Sequence, residues 1–359
     1  MSEAFDPKSL RQWWPKPSTP RPIVIFGAGS IVGDAHLPAY KQAGFPVAGL
    51  YDPNAEKAAA LAAQWGIRAF ASEAEALAVE NAIFDLATPP AAHAPILSKL
   101  PRGSFALIQK PMGSDLAGAS EILRVCRERD IKAAVNFQLR FAPMMLALYD
   151  AVEKGYLGEV VDFDAWLALA TPWGLWPFLK GLPRIEIAMH SIHYLDFIRG
   201  LLGNPQGVHA KTIGHPNHDV AQTRTAAILD YGDKVRCVLS VNHDHDFGRK
   251  YQACEFRVAG TKGAAYVKLG VNLDYPRGEP DELWIRPEGG SDWVEVKLEG
   301  AWFPDAFVNR MANLQRFASG EDKMLVGSVE DAWQTMALVE AAYQSSAAPA
   351  TPIAELPKA

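Results

Sequence analysis

Apolar residues follow two different rhythms along this chain. Between Pro22 and Gln138, short unbroken apolar runs at 23–26, 47–51, 82–87, 105–108 and 133–137 alternate with longer mixed segments. An unbroken run of strand length suits a strand covered on both faces, so these runs predict buried parallel strands. The intervening segments, 31–42, 55–65, 73–79, 91–100 and 115–129, read as helices. In 55–65 strong helix formers follow Asn54 at the N-cap position, and Gly66 stands where a helix should stop. Strands alternating with helices predict a doubly wound parallel α/β sheet, the Rossmann arrangement.

After Gln138 the rhythm changes. A helix at 141–153 and an alternating strand at 160–169 lead into a loop carrying Trp173 and Trp176, and a helix follows at 186–202, ending at Gly203. Strand-like runs at 207–213, 221–231, 234–242, 253–259, 264–269, 282–286 and 293–298 come next. Tight turns such as Gly232-Asp233 and Gly260-Thr261-Lys262-Gly263 join some of them, which predicts a large, mostly antiparallel sheet. Helices at 305–318 and 329–345 close the chain. The pattern divides it into an arm (1–21), a dinucleotide-binding domain (22–140) and a second α/β domain (141–359). The arm is proline-rich and should be extended. Its Trp13 and Trp14 should fold back onto their own domain, with docking on a neighbouring subunit as the alternative.

Composition narrows the function classes. At 359 residues the chain can build two cores, and a net charge of −6 without a basic arm argues against nucleic-acid or anionic-membrane partners. Cys126, Cys237 and Cys254 are far apart and odd in number, which suits buried thiols in a reducing, cytoplasmic setting. No apolar run reaches the ~18 residues of a membrane span, and no secretory signal pattern opens the chain.

Candidate chemistry collects at predicted strand ends, where open α/β sheets bind ligands. Gly27-Ala28-Gly29-Ser30-Ile31 follows the first strand. Gly27 permits a sharp turn, Gly29 permits close approach of a pyrophosphate, and the next helix would present its N–H groups to that anion. The third position of the G-x-G-x-x-G pattern is Val32, and an ordinary strand-to-helix turn is the alternative. Asp52 ends the second strand roughly 20 residues on, where an acid binds the ribose hydroxyls and repels a 2′-phosphate; this favours NAD over NADP. Thr88-Pro89 with His93, Gln109-Lys110, and Gln138 with Arg140 end later strands. A lysine directly after a buried strand enters a partly desolvated crevice, where burial lowers its pKa toward that of a general base.

In the helix at 186–202, Glu186, His190, His193 and Phe197 fall on one stripe if helical spacing is regular, and Asp196 is placed to pair with His193. Two histidines and a glutamate at this spacing also suit a metal, a separate function class. His215, His218, His243 and His245, with neighbouring aspartates, show no clear four-ligand spacing and read as a polar pocket wall or solvated turn. Alternation in a strand would put His243 and His245 on one face and Asp244 and Asp246 on the other.

The ordered set GAGSIVGDAHLPAY, Asp52, TPP with His93, QKP, NFQLRF, HSIHYLD and EDAWQTMALVEAAYQSS resembles the Gfo/Idh/MocA oxidoreductases across residues 22–346. The resemblance implies a Rossmann domain followed by a domain with a large open sheet that commonly serves as an oligomer interface. It places the family's Glu-Lys-Pro lysine on Lys110, acting at the reacting hydroxyl, and the histidine of the Asp-x-x-x-His motif on His193. Two positions depart from the pattern: Gln109 replaces the glutamate and Met189 the aspartate, leaving His190 as the adjacent polar group. The implied function is NAD-dependent oxidation of a hydroxyl on a sugar, sugar derivative or cyclitol. Lys110, His193 and His190 are the catalytic candidates, and Arg140, Trp173, Trp176, Arg184 and Arg249 the candidate substrate walls. The expected assembly is a homodimer or homotetramer, without metal. An NAD-using glycosidase with no net redox and a non-catalytic sugar or NAD sensor are the alternatives.

Overall fold

A computed structural model describes residues 5–176, 179–274 and 277–354. The first four residues of the arm and the last five of the second domain therefore lie outside the described residues. Strands β1 (Ile23–Phe26), β2 (Val47–Tyr51), β3 (Ile83–Leu86), β4 (Phe105–Ile108) and β5 (Lys132–Val135) pair in parallel in the order β2-β1-β3-β4-β5. Side chains from both faces of β1 are buried, as the unbroken apolar run requires. Helices α1 (Leu37–Ala43), α2 (Ala55–Trp65), α3 (Glu73–Leu77), α4 (Pro90–Leu97) and α5 (Leu116–Glu128) connect and cover the sheet. Asn54 caps α2 through a bond from the Lys57 N–H at 3.0 Å, and Gly66 ends it at φ +63°.

The second sheet has eight strands: β6 (Val160–Ala168), β7 (Gly207–Ile213), β8 (Arg224–Asp230), β9 (Arg236–Asn242), β10 (Ala253–Gly260), β11 (Ala264–Lys268), β12 (Glu282–Arg286) and β13 (Val294–Glu295). Their order is β13-β12-β11-β10-β6-β9-β8-β7, antiparallel except for the parallel pair β6–β9. One face buries residues such as Phe163, Leu229, Leu239 and Phe256, while Trp166, Ile228 and Trp293 are exposed. The alternating burial along β8 and β9 is the period-two signature of a half-covered sheet. Helices α6 (Pro143–Glu153), α7 (Ile192–Leu202), α8 (Asp305–Ala318) and α9 (Val329–Ala347) complete the fold.

The C-terminal helices return to the first sheet. Phe307, Val308 and Met311 of α8 join Ile23, Ile25 and Leu107 in one buried cluster. Buried His36 lies against Phe307 at 5.0 Å and bonds Asp85 at 2.7 Å, so it is a core strut. The arm lies along α8, with the Trp14 N–H bonded to Asn309 at 2.8 Å and its indole N–H to Asp322 at 2.7 Å. The tryptophans thus pack on their own chain. All three cysteines are buried and unpaired.

Two helices predicted as regular begin with π turns, at Val32–His36 and Glu186–Ser191. Each turn carries extra backbone within the helix and shifts side-chain register, a feature frequent at functional sites.

Candidate active site

The glycine turn is shaped by two different constraints. Gly27 sits at φ +110°, and a Cβ there would lie 2.4 Å from the Ala87 carbonyl oxygen. Only glycine fits. Gly29 is exposed, and no protein atom lies within 4 Å of where its Cβ would be. The space beside it is open to a ligand. Ser30 is exposed and Ile31 part-buried at the start of the helix that follows. Gly33, one position beyond the expected third glycine, faces Leu61 Cδ1, with a Cβ-to-carbon separation of 3.2 Å. Close packing against α2 is thus supplied one residue late, within the π turn.

Asp52 fastens this turn to the end of β2. Its Oδ2 accepts from the Ala28 N–H and its Oδ1 from the Asn54 N–H, both at 2.8 Å. Both carboxylate oxygens retain acceptor capacity beside the turn. Further along the sheet edge, Thr88 Oγ1, Asn136 Oδ1 and Gln138 Oε1 are buried without a protein hydrogen-bond partner. Buried polar atoms normally find partners, so this row fits a polar ligand such as a dinucleotide. His93 does not reach into that space: its ring nitrogens lie 3.0 Å from the Met112 carbonyl and 2.9 Å from that of Thr88. Burial lowers its pKa, and the ring braces the Thr88-Pro89 turn. In this structure its ring nitrogens are directed to the protein's own carbonyls, a supporting role behind the turn.

Lys110 follows β4 and reaches across to the second domain, where its Nζ donates to the Met189 carbonyl at 2.8 Å. Desolvation pushes its pKa down to about 8. Beside it, the Gln109 amide oxygen accepts from the Asn136 amide at 3.0 Å. A neutral amide thus occupies the place of a second charge near Lys110.

The π turn at Glu186–Ser191 supplies the opposite wall, and the regular stripe expected for this segment is broken by it. His193 is buried, with Nδ1 unpartnered and its ring between Phe137 at 6.4 Å and Trp302 at 6.1 Å. His190 faces Trp173 at 5.5 Å and His243 at 4.6 Å between ring centroids. Burial first, and then the Lys110 charge among others, hold both His190 and His193 well below the usual histidine range. They are neutral imidazoles beside a lysine whose pKa is lowered to about 8. Trp173, Leu179, Ile185 and Val220 form a small apolar cluster against which Trp176 and Met189 pack. Met189 is therefore an apolar wall residue whose backbone, rather than side chain, meets Lys110.

Several sequence expectations change here. Asp196 does not pair with His193: it binds Arg140 through Nη2 at 2.9 Å and through Nε at 2.5 Å. Asp331 meets the same guanidinium at 2.9 Å. Arg140 is consequently a buried tie between α7, α9 and the end of the first domain, and no longer a substrate-wall candidate. Arg249 is engaged with Glu279 near Lys268, and Arg184 with Glu340 and the face of Tyr343. Both pairs are part-exposed, so these two guanidinium groups rest on carboxylates of their own chain. His243 and Asp244 are both buried, because β9 ends at Asn242 and the chain no longer alternates there. Asp244 accepts from Thr223 and Trp173, while His218 approaches it at 3.6 Å. Among the described residues no three His, Cys, Asp or Glu side chains form a metal-holding group.

Residues 21–137 match the family described as an oxidoreductase family with an NAD-binding Rossmann fold, and residues 145–266 match the GFO/IDH/MocA C-terminal domain. The chain belongs to the Gfo/Idh/MocA oxidoreductase family. Among Gfo/Idh/MocA relatives, D-apiose dehydrogenase of Rhizobium rhizogenes is 24% identical over 85% of this chain and 89% of its own. UDP-N-acetylglucosamine 3-dehydrogenase of Acidithiobacillus ferrooxidans is 32% identical over 59% and 63%, respectively. An oxidoreductase from Agrobacterium radiobacter, solved with NAD+, L-tartaric acid and magnesium, superposes with a TM-score of 0.76 at 23% identity, covering 92% of this chain and 97% of that one. As a Gfo/Idh/MocA protein, this chain is an oxidoreductase with an NAD-binding Rossmann domain. No helix among its described residues is long and apolar enough to cross a membrane.

Proposed function

We propose that the protein oxidises a hydroxyl of a neutral sugar, sugar derivative or cyclitol with NAD, and that Lys110 is the base. The observation that carries this reading is the placement of Lys110 at the end of β4, with its pKa down to about 8 and neutral His190 and His193 beside it. The dinucleotide supplies a hydride acceptor. Gly27, Ala28, Gly29, Ser30 and Ile31 would hold its pyrophosphate, Asp52 its ribose, and Thr88, Pro89, Gln109 and Gln138 its nicotinamide end. Asp52 favours NAD over NADP because a carboxylate repels a 2′-phosphate.

Lys110 in its amine form takes the hydroxyl proton as the C–H bond gives up hydride. His193 orients the hydroxyl through its unpartnered Nδ1, and His190 lies next in line. Trp173 and Trp176 present apolar surface to the C–H faces of the ring. A neutral substrate fits because Arg140, Arg184 and Arg249 are already paired with carboxylates. The names of the relatives, which include sugar and inositol dehydrogenases, support the substrate class. The exposed sheet face supports assembly into a homodimer or homotetramer. Tyr266, Trp284 and Trp293 there line a depression of about 510 Å³. A cytoplasmic location suits the free thiols.

Incubation with polyols and glycosides tests the reaction. NADH accumulation is expected; release of an aglycone at constant NAD would instead assign the glycosidase chemistry. NAD is expected to bind more tightly than NADP, and equal affinities would remove the role given to Asp52.

A further inference from the structure

An acid lies behind Lys110 that the roles above do not use. Glu186 is completely buried at the start of the second π turn. Its Oε1 accepts from the Ser191 hydroxyl at 2.5 Å, a pairing five residues apart that the wide turn brings into line. The same oxygen faces His243 Nε2 at 3.5 Å without a hydrogen bond between them, and both His243 Nε2 and Glu186 Oε2 are buried with no hydrogen-bond partner. On the other side of the His243 ring, Nδ1 lies 2.8 Å from Thr171 Oγ1. The His190 ring stands edge-on to His243 at 4.6 Å, and Trp173 closes against both rings at 5.5 Å. His190 directly follows Met189, the residue whose carbonyl receives Lys110. Glu186, His243, His190 and Lys110 therefore form a file leading inward from the reaction centre.

A buried carboxylate needs hydrogen bonds or a neighbour able to carry positive charge. Around Glu186 the titratable groups are His243 from the segment after β9, Tyr194 of α7 and Tyr343 of α9. Both tyrosines are neutral and held so by burial, with the Glu186 charge adding to the effect. The imidazole is the group that can answer the charge. Around His190 stand Lys110, His193 and His243, all of which oppose its protonation. Glu186 meets the file at His243. A hydroxyl donating from Thr171 to Nδ1 places the ring hydrogen of His243 on Nε2, facing Glu186.

We propose that Glu186 and His243 form a carboxylate–imidazole pair that receives, through His190, the proton Lys110 removes from the substrate hydroxyl. This rests on the oxidoreductase reading above. The O–H bond breaks and its proton joins the Lys110 amine, while the C–H electron pair leaves as hydride to the dinucleotide and the carbonyl forms. The proton then crosses His190 to His243, Lys110 returns to the amine, and the Glu186 carboxylate balances the His243 imidazolium. Glu186 is a positioning residue in this scheme, since it acts through His243.

The pair can be tested in the full-length protein without a substrate, by long-range proton–nitrogen NMR of histidine side chains. His243 is expected as the Nε2–H tautomer, and the Nδ1–H tautomer would overturn the proposal. In Glu186→Gln, the protonation midpoint of His243 should fall by about one pH unit or more, as loss of a charge at 3.5 Å implies. His209, His215 and His245 should not move, and Glu186→Asp should restore part of the shift. An unchanged His243 midpoint in folded Glu186→Gln would also overturn it. Thr171→Val offers a second variant, expected to weaken the Nε2–H preference; an unaltered tautomer there counts against the pair. Absence of NADH formation with every polyol counts against the reaction itself and leaves these spectra readable, so the two failures are distinguishable.

Discussion

Replacing Lys110 by Met should make the protein more stable and almost inactive. The substitution keeps an unbranched stem as far as Cε and removes the charged ammonium. Burial displaces the lysine from its ordinary value of 10.5 to about 8, which corresponds to about 3 kcal/mol of cost for holding the charged form in place. The variant also loses the bond to the Met189 carbonyl, and an unpaired carbonyl costs about 1–2 kcal/mol. The net expectation near pH 7 is a gain of about 1–2 kcal/mol, read from urea unfolding. The pH dependence fixes the sign. Below about pH 8 lysine is charged in both the folded and unfolded wild type, so the cost is present in full. Between about pH 8 and 10.5 the unfolded chain binds more protons than the folded one, and the wild type gains stability as pH rises. With that gain of about 3 kcal/mol the wild type should overtake the variant at alkaline pH, so the two stability curves cross. Turnover, followed as NADH absorbance, should fall by about 10²–10⁴ because the base is gone. In the wild type it should rise with pH through a midpoint near 8. A less stable variant at pH 7 that keeps its turnover would refute the reasoning.

Five further substitutions probe the surrounding assignments. Gly29→Ala should leave thermal stability nearly unchanged while weakening NAD binding, because its Cβ meets no protein atom; Gly27→Ala should instead destabilise the fold through its 2.4 Å approach to the Ala87 oxygen. Asp52→Ser should cost about tenfold or more in NAD affinity, the scale of one charge-assisted hydrogen bond, and narrow the preference over NADP, both measured by fluorescence titration. Arg140→Met should lower stability by about 3–5 kcal/mol in denaturant melts, since it leaves buried Asp196 without its partner. Arg249→Ala, at an exposed pair, should change stability by less than about 1 kcal/mol and leave KM unaltered.

The contrast between those two arginines shows what the linear pattern could and could not convey. Strand runs, the Asn54 cap and the glycine turn were legible because each depends on neighbours within a few residues. Lys110 was legible for the same reason: it directly follows a buried run. Partners across the fold were hidden. Asp196 stands three residues from His193 in sequence, yet its carboxylate meets Arg140 from the end of the first domain. Periodicity also failed where its own premise failed. A spacing argument assumes a regular helix, and the π turns at Val32–His36 and Glu186–Ser191 break it where the site is built. The Glu186–Ser191 bond, five residues apart, is what such a turn produces and what a 3.6-residue stripe cannot foresee. Likewise, His243 and Asp244 were assigned to opposite faces of a strand that in fact ends at Asn242. The cluster of histidines around Lys110 became visible only once the second domain was folded against the first.

The central claim is hydride transfer from a neutral polyol to NAD. A panel of neutral sugars, cyclitols and sugar acids, incubated with the protein and NAD, measures it directly by NADH formation matched against carbonyl product. Equal amounts of NADH and ketone or lactone are expected with at least one neutral polyol, and none from that polyol with Lys110→Met. NADH formation confined to anionic sugar acids, or undiminished in Lys110→Met, would contradict it.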